Sequence, residues 1–285
     1  MRTLVHLSDL HFGRVDEALL EPLIERVGAL APDVVVVSGD LTQRARSAQF
    51  AQARRFLDAL PSPQVVVPGN HDIPMHNVLD RFLLPLDKYR QHIGEDTEPE
   101  FVDGEIAVFG VNTARSATIK GGRIGSEQIE RLQARLAAVG PDVTKVVVTH
   151  HPFDLPSSFD ASDLVGRAPR AMRMFAEHGV DLLLAGHLHA SHAGATAERY
   201  PIGGFAAIGV QAGTATSTRG RGEANAFNGI RIEPGRIVVG RFEWIPELGT
   251  FDVRQTQAFE RGPGGWTAAA PDAAWEVQPQ GRDRR

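Results

Sequence analysis

The sequence predicts an α/β protein, and three observations carry that prediction. Short β-branched runs recur through the first 185 residues, helical apolar spacing fills the intervals between them, and beyond His189 the pattern changes to glycine-rich stretches of Ile, Val and Phe. The runs are Leu4 to Leu7, Val34 to Val37, Val65 to Val67, Ile106 to Phe109, Val146 to Thr149 and Leu182 to Ala185. Most read as near-continuous apolar segments, as strands covered on both faces do. After the first run, Leu19, Leu20, Leu23, Ile24, Val27 and Leu30 share one helical face. Ser47 is expected to cap a helix carrying Phe50, Phe56, Leu57 and Leu60, and Ser126 one carrying Ile129, Leu132, Leu136 and Val139. Strand and helix alternating in this way argue for βαβ units around a largely parallel sheet.

From about Gly203 to Arg254 helical spacing is scarce, and "IEPGRIVVGRFEW" reads as a hairpin arm and a following strand. This segment predicts a second, mostly antiparallel sheet packed into the same domain. Residues 1–261 are therefore expected to form one domain. Residues 262–285, rich in Gly, Pro and Ala without periodicity, are expected to be a flexible tail. No fixed-period repeat is present.

Composition narrows the function classes. Hydrophobic residues at 42% and charged residues at 23% are those of an ordinary globular protein. A net charge of -5 gives no basic footprint for phosphate backbones, so general nucleic-acid binding is not expected. The absence of cysteine removes disulfides, thiolate metal sites and cysteine nucleophiles together. The N-terminus lacks the apolar run of a signal peptide and no stretch has the length of a membrane span, which predicts a cytoplasmic protein without membrane partners. A homo-oligomer is left open.

The strand ends carry the chemistry. The first run leads to Asp9 and His11, the second to Gly39-Asp40, the third to Gly69-Asn70-His71-Asp72, the fifth to His150-His151, and the sixth to Gly186-His187-Leu188-His189. In open α/β sheets ligands bind outside the carboxyl ends of the strands, so these residues are expected to meet in one crevice. One polar residue at one strand end is ordinary turn chemistry. Five such coincidences call for a common purpose, and imidazole with carboxylate but no thiolate suits Mn, Fe, Co, Ni or Zn.

In that order, "DLH", "GD", "GNHD", "THH" and "GHLH" resemble the signature set of the calcineurin-like metallophosphoesterase superfamily. Within it, "LSDLHFG", "GNHDIP" and "VNTARS" with a following "GGRI" resemble bacterial members grouped with class III cyclic-nucleotide phosphodiesterases. The resemblance spans roughly Leu4 to Arg254. It implies an α/β/β/α sandwich of two packed mixed sheets flanked by helices, and two divalent transition-metal ions, Mn or Fe before Zn or Co. Carried over position by position, it implies that Asp9, His11, Asp40 and His189 hold one ion. Asp40, Asn70, His150 and His187 would hold the other, with Asp40 shared. At "THHP" the matching ligand is His150, with His151 as the substitute.

The implied reaction is hydrolysis of a small phosphoester, a phosphodiester before a monoester or pyrophosphate, by water activated between the ions. Two carboxylates against two dications leave about +2 of charge, which draws anions to an acidic protein. His71 and Asp72 are the catalytic candidates, His71 as proton donor or charge stabiliser and Asp72 as the group that orients the loop or that imidazole, against the plainer reading that it only ties down its own turn. A nuclease with the same centre, a non-catalytic scaffold on the same fold and a mononuclear amide or ester hydrolase are the rivals.

Other residues carry less. His6 reads as a packed core histidine, and His92 and His178 as surface residues. His76 and His192 follow motifs closely enough to line the substrate crevice. Asn112 and Arg115 follow another strand and are candidates for phosphate contact, against the plainer reading of a solvated arginine. Arg219 and Arg221 sit in a glycine-rich loop near which substrate could enter. Purple acid phosphatases have a tyrosine ligand three residues after the shared Asp; here that position is Gln43.

Overall fold

Two mixed β-sheets stack face to face and carry helices on both outer surfaces. The structure is a computed structural model that describes residues 1–75, 77–118, 120–155, 159–218, 222–271 and Trp275. In chain order the elements are β1 (Arg2–Leu7), α1 (Leu20–Ala29), β2 (Val34–Ser38), α2 (Ser47–Asp58), β3 (Gln64–Val67), α3 (Val78–Leu83), α4 (Asp87–His92), β4 (Glu100–Val102), β5 (Ile106–Gly110), α5 (Ser126–Ala137), β6 (Thr144–Val148), α6 (Ala168–His178), β7 (Leu182–Ala185), β8 (His192–Ala195), β9 (Ile208–Gln211), β10 (Ala226–Glu233), β11 (Arg236–Ile245), β12 (Thr250–Gly262) and β13 (Gly265–Ala269). One sheet has the order β13-β12-β11-β10-β1-β2-β3, the other β4-β5-β6-β7-β9-β8.

All six predicted apolar runs are strands, but they divide between the sheets, three in each. The expected separate antiparallel sheet is corrected here: β10 to β13 extend the sheet that β1 to β3 begin. Strand β1 is the junction. It pairs in parallel with β2 from Leu4↔Val34 to Leu7↔Val37, and antiparallel with β10 from Arg2↔Ile232 to His6↔Asn228. Local pattern identifies a strand but not which neighbour takes each of its edges. The sandwich of two mixed sheets is the architecture that the motif resemblance implies.

Side-chain parity generates the layers, because successive residues of a strand face opposite ways. Leu4, Val34, Val36, Val65 and Val67 face inward and meet Ile106, Val108, Val146, Val148, Leu182 and Leu184 of the other sheet. The alternate residues Val5, Leu7, Val35 and Val37 pack outward on Leu23, Val27, Phe50 and Phe56 of α1 and α2. On the far side, Phe109, Val147 and Leu183 pack on Ile129, Leu132, Met172 and Phe175 of α5 and α6. The predicted caps shift by one residue: Arg46 and Gly125 precede the helices that start at Ser47 and Ser126. A glutamine in each first turn reaches back, with Gln128 Oε1 accepting from Gly125 N at 2.8 Å.

The expected tail boundary at 261/262 falls inside a β-hairpin. Glycines 262 and 265 pair across its turn, and β13 continues the sheet beside β12. Trp266 is 2% exposed, joins the core between the sheets, and donates from Nε1 to buried Asp181 Oδ1 at 2.9 Å. Trp275 is also buried, edge-on to Phe242. A strand anchored by a single tryptophan among Gly, Thr and Ala leaves too little alternation to be read from sequence. Residues 272–274 and 276–285 of the predicted tail lie outside the described residues. No helix among the described residues is long and apolar enough to cross a membrane.

Candidate metal centre

Strands β1, β2, β3, β6 and β7 end at one place in the sandwich, and the loops that follow them bring all seven predicted ligands together. Their nitrogen and oxygen donors form two clusters. In the first, His11 Nε2 lies 3.4 Å from His189 Nε2, and both nitrogens lie 3.5 Å from Asp9 Oδ1. In the second, His150 Nε2 lies 3.1 Å from Asn70 Oδ1, and the His187 ring stands 5.1 Å from that of His150, centroid to centroid. The Asp40 carboxylate spans the two. Its Oδ1 faces His150 Nε2 at 3.3 Å and its Oδ2 faces His11 Nε2 at 3.7 Å.

The backbone carries the cost of this convergence. Of the eight described non-glycine residues with positive φ, five are Asp9, His11, Asp40, His187 and His189. Left-handed backbone is unfavourable for residues with a Cβ, and such outliers gather where surrounding structure holds a functional geometry in place. The holding bonds are visible. Asp9 N donates to Gly39 O at 3.1 Å, His11 N to Asp40 O at 2.9 Å, and Gly186 N to His150 O at 3.1 Å, which ties neighbouring loops within each sheet. His187 N on Asp9 Oδ2 at 3.0 Å and His150 Nδ1 on Ser38 O at 2.8 Å lace the loops of the two sheets together. Two glycines permit the lacing by close approach: a Cβ at Gly186 would overlap Ser8 Oγ and reach 2.6 Å from Asp9 Oδ2, and one at Gly69 would overlap Asp40.

Known proteins resemble this chain in sequence and fold. The sequence profile of calcineurin-like phosphoesterases matches residues 2–191. The chain belongs to the calcineurin-like phosphoesterase family. It is 30% identical to a cAMP/cGMP dual specificity phosphodiesterase of Mycobacterium tuberculosis, over 82% of this chain and 77% of that protein. It is 26% identical to a glycerophosphodiester phosphodiesterase of Enterobacter lignolyticus, over 66% of this chain and 74% of that one. Among solved structures, a purple acid phosphatase from yellow lupin seeds superposes with a TM-score of 0.69 at 13% identity, covering 90% of this chain and 53%, about half, of the lupin chain. That likeness is one of fold.

Membership of this phosphoesterase family implies divalent metal ions, and the residues present fit them. Asp9 Oδ2 accepts from Ser8 Oγ at 2.7 Å and from His187 N at 3.0 Å, while Asp9 Oδ1 is buried with no hydrogen-bond donor among the described residues and faces two imidazole nitrogens. A buried carboxylate oxygen left in that state is what a cation satisfies. Groups of three donors that lie within 4.8 Å of one another include Asp9 with His11 and His189, and Asp9 with Asp40 and His150. Burial pushes the Asp9 and Asp40 carboxyls up, but the facing histidines outweigh it and hold both well below the usual range. Burial pushes His187 down to about 4, keeping its ring neutral for coordination.

His151 also lies among these rings, 4.6 Å from His187 by centroids, but both of its nitrogens are engaged. Nε2 donates to Lys120 O at 2.8 Å, which leaves Nδ1 to accept from Thr113 Oγ1 at 2.9 Å. In His150 only Nδ1 is tied by the fold, to Ser38 O at 2.8 Å, and Nε2 is turned into the cluster. A backbone carbonyl that fixes the outer nitrogen is the usual support of a ligating histidine.

His71 N donates to Asp40 Oδ1 at 2.9 Å, and its ring stands edge-on to His11 at 5.0 Å. Its Nδ1 lies 2.9 Å from Gln43 O, so the neutral ring carries its proton there and Nε2 is the nitrogen across the ring. Of the readings open for Asp72, its contacts favour the one in which it ties down its turn. Asp72 Oδ1 accepts from Thr42 N and Thr42 Oγ1 at 2.8 and 3.0 Å, and Oδ2 from Leu41 N and Gly69 N at 3.1 and 2.9 Å. Burial and the Asp40 charge push its carboxyl up to about 6 against these donors. Four bonds within two loops clamp the turn after β2 to the turn after β3, and the group that orients His71 is the Gln43 carbonyl.

Arg115 donates to Asn112 O, Ala114 O and Gln128 Oε1, stapling its own loop, so full solvation does not describe it. Asn112 Oδ1 caps Ala114 N at 3.0 Å. His6 is fully buried with Nε2 on Ser38 Oγ at 2.8 Å, as a packed core residue should be. His92 stacks on Phe50, and His178 Nδ1 lies 3.0 Å from Met174 O. His192 is apart from both clusters, on a cavity shared with Asp154, Glu198 and Arg199. His76, Arg219 and Arg221 lie outside the described residues.

Motif reading passes over the supports. Thr214 Oγ1 donates to Asp9 O and Thr216 Oγ1 to Leu10 O, at 2.8 and 2.9 Å, so the segment before β10 braces the first metal loop from below. Ser8 sits inside "LSDLHFG", and its position before Asp9 was the available signal. The Gln43 role rests on a main-chain carbonyl, which no side chain announces.

Proposed function

We propose that this chain is a two-metal phosphodiesterase for small diesters, with 3',5'-cyclic nucleotides as the favoured class. The observation that carries the reading is the Asp40 carboxylate, one oxygen toward each cluster. Asp9, His11, Asp40 and His189 are assigned to one ion, and Asp40, Asn70, His150 and His187 to the other. The donor set of imidazole, carboxylate and one amide suits Mn, Fe, Co, Ni or Zn, and the resemblance to the family puts Mn or Fe before Zn or Co. Bound there, a pair of divalent cations supplies Lewis acidity to phosphoryl oxygens and lowers the pKa of water.

The chain's own residues do the rest. Asp9 and Asp40 offset cation charge, and the outer oxygen of Asp9, fixed by Ser8 Oγ and His187 N, keeps its inner oxygen aimed. His71, fixed through Nδ1 on Gln43 O, is assigned to place Nε2 against the phosphoryl group or the leaving oxygen, where an imidazolium stabilises charge and gives up its proton. The two relatives named above act, by their names, on a cyclic diester and a glycerol diester. The phosphodiester group is what those substrates share, which supports diester over monoester. The acidic balance supports a small substrate over nucleic acid.

Metal analysis and a substrate panel test this reading. Protein saturated with Mn²⁺ is expected to hold two ions per chain and to hydrolyse cAMP, cGMP and bis-p-nitrophenyl phosphate faster than p-nitrophenyl phosphate or single-stranded DNA. Full activity with one ion, a preference for DNA or the monoester, or no turnover of any phosphoester would each overturn it.

A further inference from the structure

A cavity of about 480 Å³ opens between α1, α2 and the loop that follows His11, on the helical surface of the sheet. Its apolar lining is Phe12, Val15, Leu20, Ile24 and Phe56. Phe12 and Phe56 are core residues at 5% and 4% exposure, with ring centroids 5.8 Å apart and planes tilted by 54°. Arg14 and Arg55 also line it, with Gln52 and one carboxylate, Glu17. Neither guanidinium has an ion pair or hydrogen bond among the described residues, in a protein whose arginines 2, 26, 54, 131, 135, 199, 236, 241 and 261 are paired with carboxylates. Two cations against one anion at the mouth of an aromatic pocket of ligand size fit an apolar body with an acidic head.

The wall of this cavity is wired to the metal centre. Phe12 follows His11 directly, Phe12 N donates to Leu41 O, and Gln43 N donates to Phe12 O, each at 2.9 Å. Gln43 O in turn holds His71 Nδ1 at 2.9 Å. Displacing the Phe12 backbone therefore moves the carbonyl that fixes His71.

We propose that this cavity binds a small aromatic anion, and that its occupancy changes turnover through Phe12, Gln43 and His71. The aromatic body lies against Phe12 and Phe56, and the acidic group meets Arg14 and Arg55. Coupling of this kind needs the ligand to favour one position of the Phe12 segment over another, and a ring inserted beside a core phenylalanine does so by contact.

The probe is 8-anilinonaphthalene-1-sulfonate, titrated against the full chain saturated with Mn²⁺. The expected result is saturable fluorescence enhancement at one site per chain. Affinity should fall by about tenfold or more in the Arg14→Gln/Arg55→Gln double variant, the cost of losing a charge-assisted contact. Leu20→Trp, which fills the cavity and keeps both arginines, should abolish binding, and decanoate should compete weakly. Saturating probe should change kcat for bis-p-nitrophenyl phosphate at least about twofold in the native chain and leave the double variant unaffected. Melting temperatures within about 2 °C of native show that the variants are folded. Binding that is absent, or unaltered by both variants, would overturn the site. Binding without any change in kcat would overturn the coupling. Probe release on self-association at higher protein concentration would assign the cavity to a second copy of the chain instead. The fluorescence measurement does not depend on the phosphodiesterase reading, so the two can fail separately.

Discussion

Removing one hydroxyl should loosen metal at the first cluster. Ser8 is fully buried, and its Oγ donates to Asp9 Oδ2 at 2.7 Å. A hydrogen bond to a buried carboxylate contributes about 1.5–3 kcal/mol, and in Ser8→Ala only His187 N, at 3.0 Å, still holds that oxygen. Asp9 stays ionised beside His11 and His189, but its inner oxygen is then free to swing about Cβ–Cγ. Loss of a supporting bond of this kind typically weakens metal affinity by about 10–100-fold. Calorimetric titration of chelator-stripped protein with Mn²⁺ measures it, and bis-p-nitrophenyl phosphate turnover at raised Mn²⁺ should recover most of its native kcat. If Ser8→Ala lowers the melting temperature but leaves the Mn²⁺ dissociation constant within about twofold of native, the hydroxyl packs the loop without aiming the ligand, and the reasoning fails.

Gly186→Ala presses on the same pair from the opposite side, where its Cβ would meet Ser8 Oγ and Asp9 Oδ2, so it should reproduce the metal defect more severely. Activity restored to it by native Mn²⁺ concentrations would contradict the close approach. Asn70→Ala is expected to lower metal content toward one ion per chain. His71→Ala should keep two ions and lose about 10²–10⁴-fold in kcat, the range of acid–base catalysis; loss of metal in that variant would undo its assignment. Trp266→Ala should cost about 3–5 kcal/mol in urea unfolding and leave Asp181 short of a donor, whereas a result near zero would return β13 to the status of a tail.

The motifs were legible because each ligand stands at the end of an apolar run, and strand ends are the part of an α/β sequence that periodicity locates best. The runs were legible as strands for the same reason, although Leu4 and Val5, or Val34 and Val35, look alike in sequence while packing on opposite faces. Sheet membership was not, because β1 presents two equivalent edges and only the long-range pairs Arg2↔Ile232 and Leu4↔Val34 assign them. Asp72 was ambiguous because a carboxylate next to a candidate acid–base histidine is compatible with either role, and its four backbone and hydroxyl partners come from residues 41, 42 and 69.

Metal uptake should depend on pH, and the direction follows from His150. Burial alone lowers a histidine, but Asp40 at 3.3 Å and the Ser38 carbonyl outweigh it and raise His150 to about 9 in the metal-free protein. A raised histidine stabilises that protein fully below the unfolded value, and the contribution is lost as pH climbs through about 9. A cation at the second cluster needs the same nitrogen, so its binding must expel the proton. Affinity there should rise about tenfold for each unit that the pH climbs toward about 9, with proton release on binding. Mn²⁺ titrations at pH 6.5, 7.5 and 8.5 in buffers of different ionisation enthalpy measure both quantities. Affinity independent of pH, with no protons released, would mean that His150 is already neutral and that Asp40 is balanced by another group.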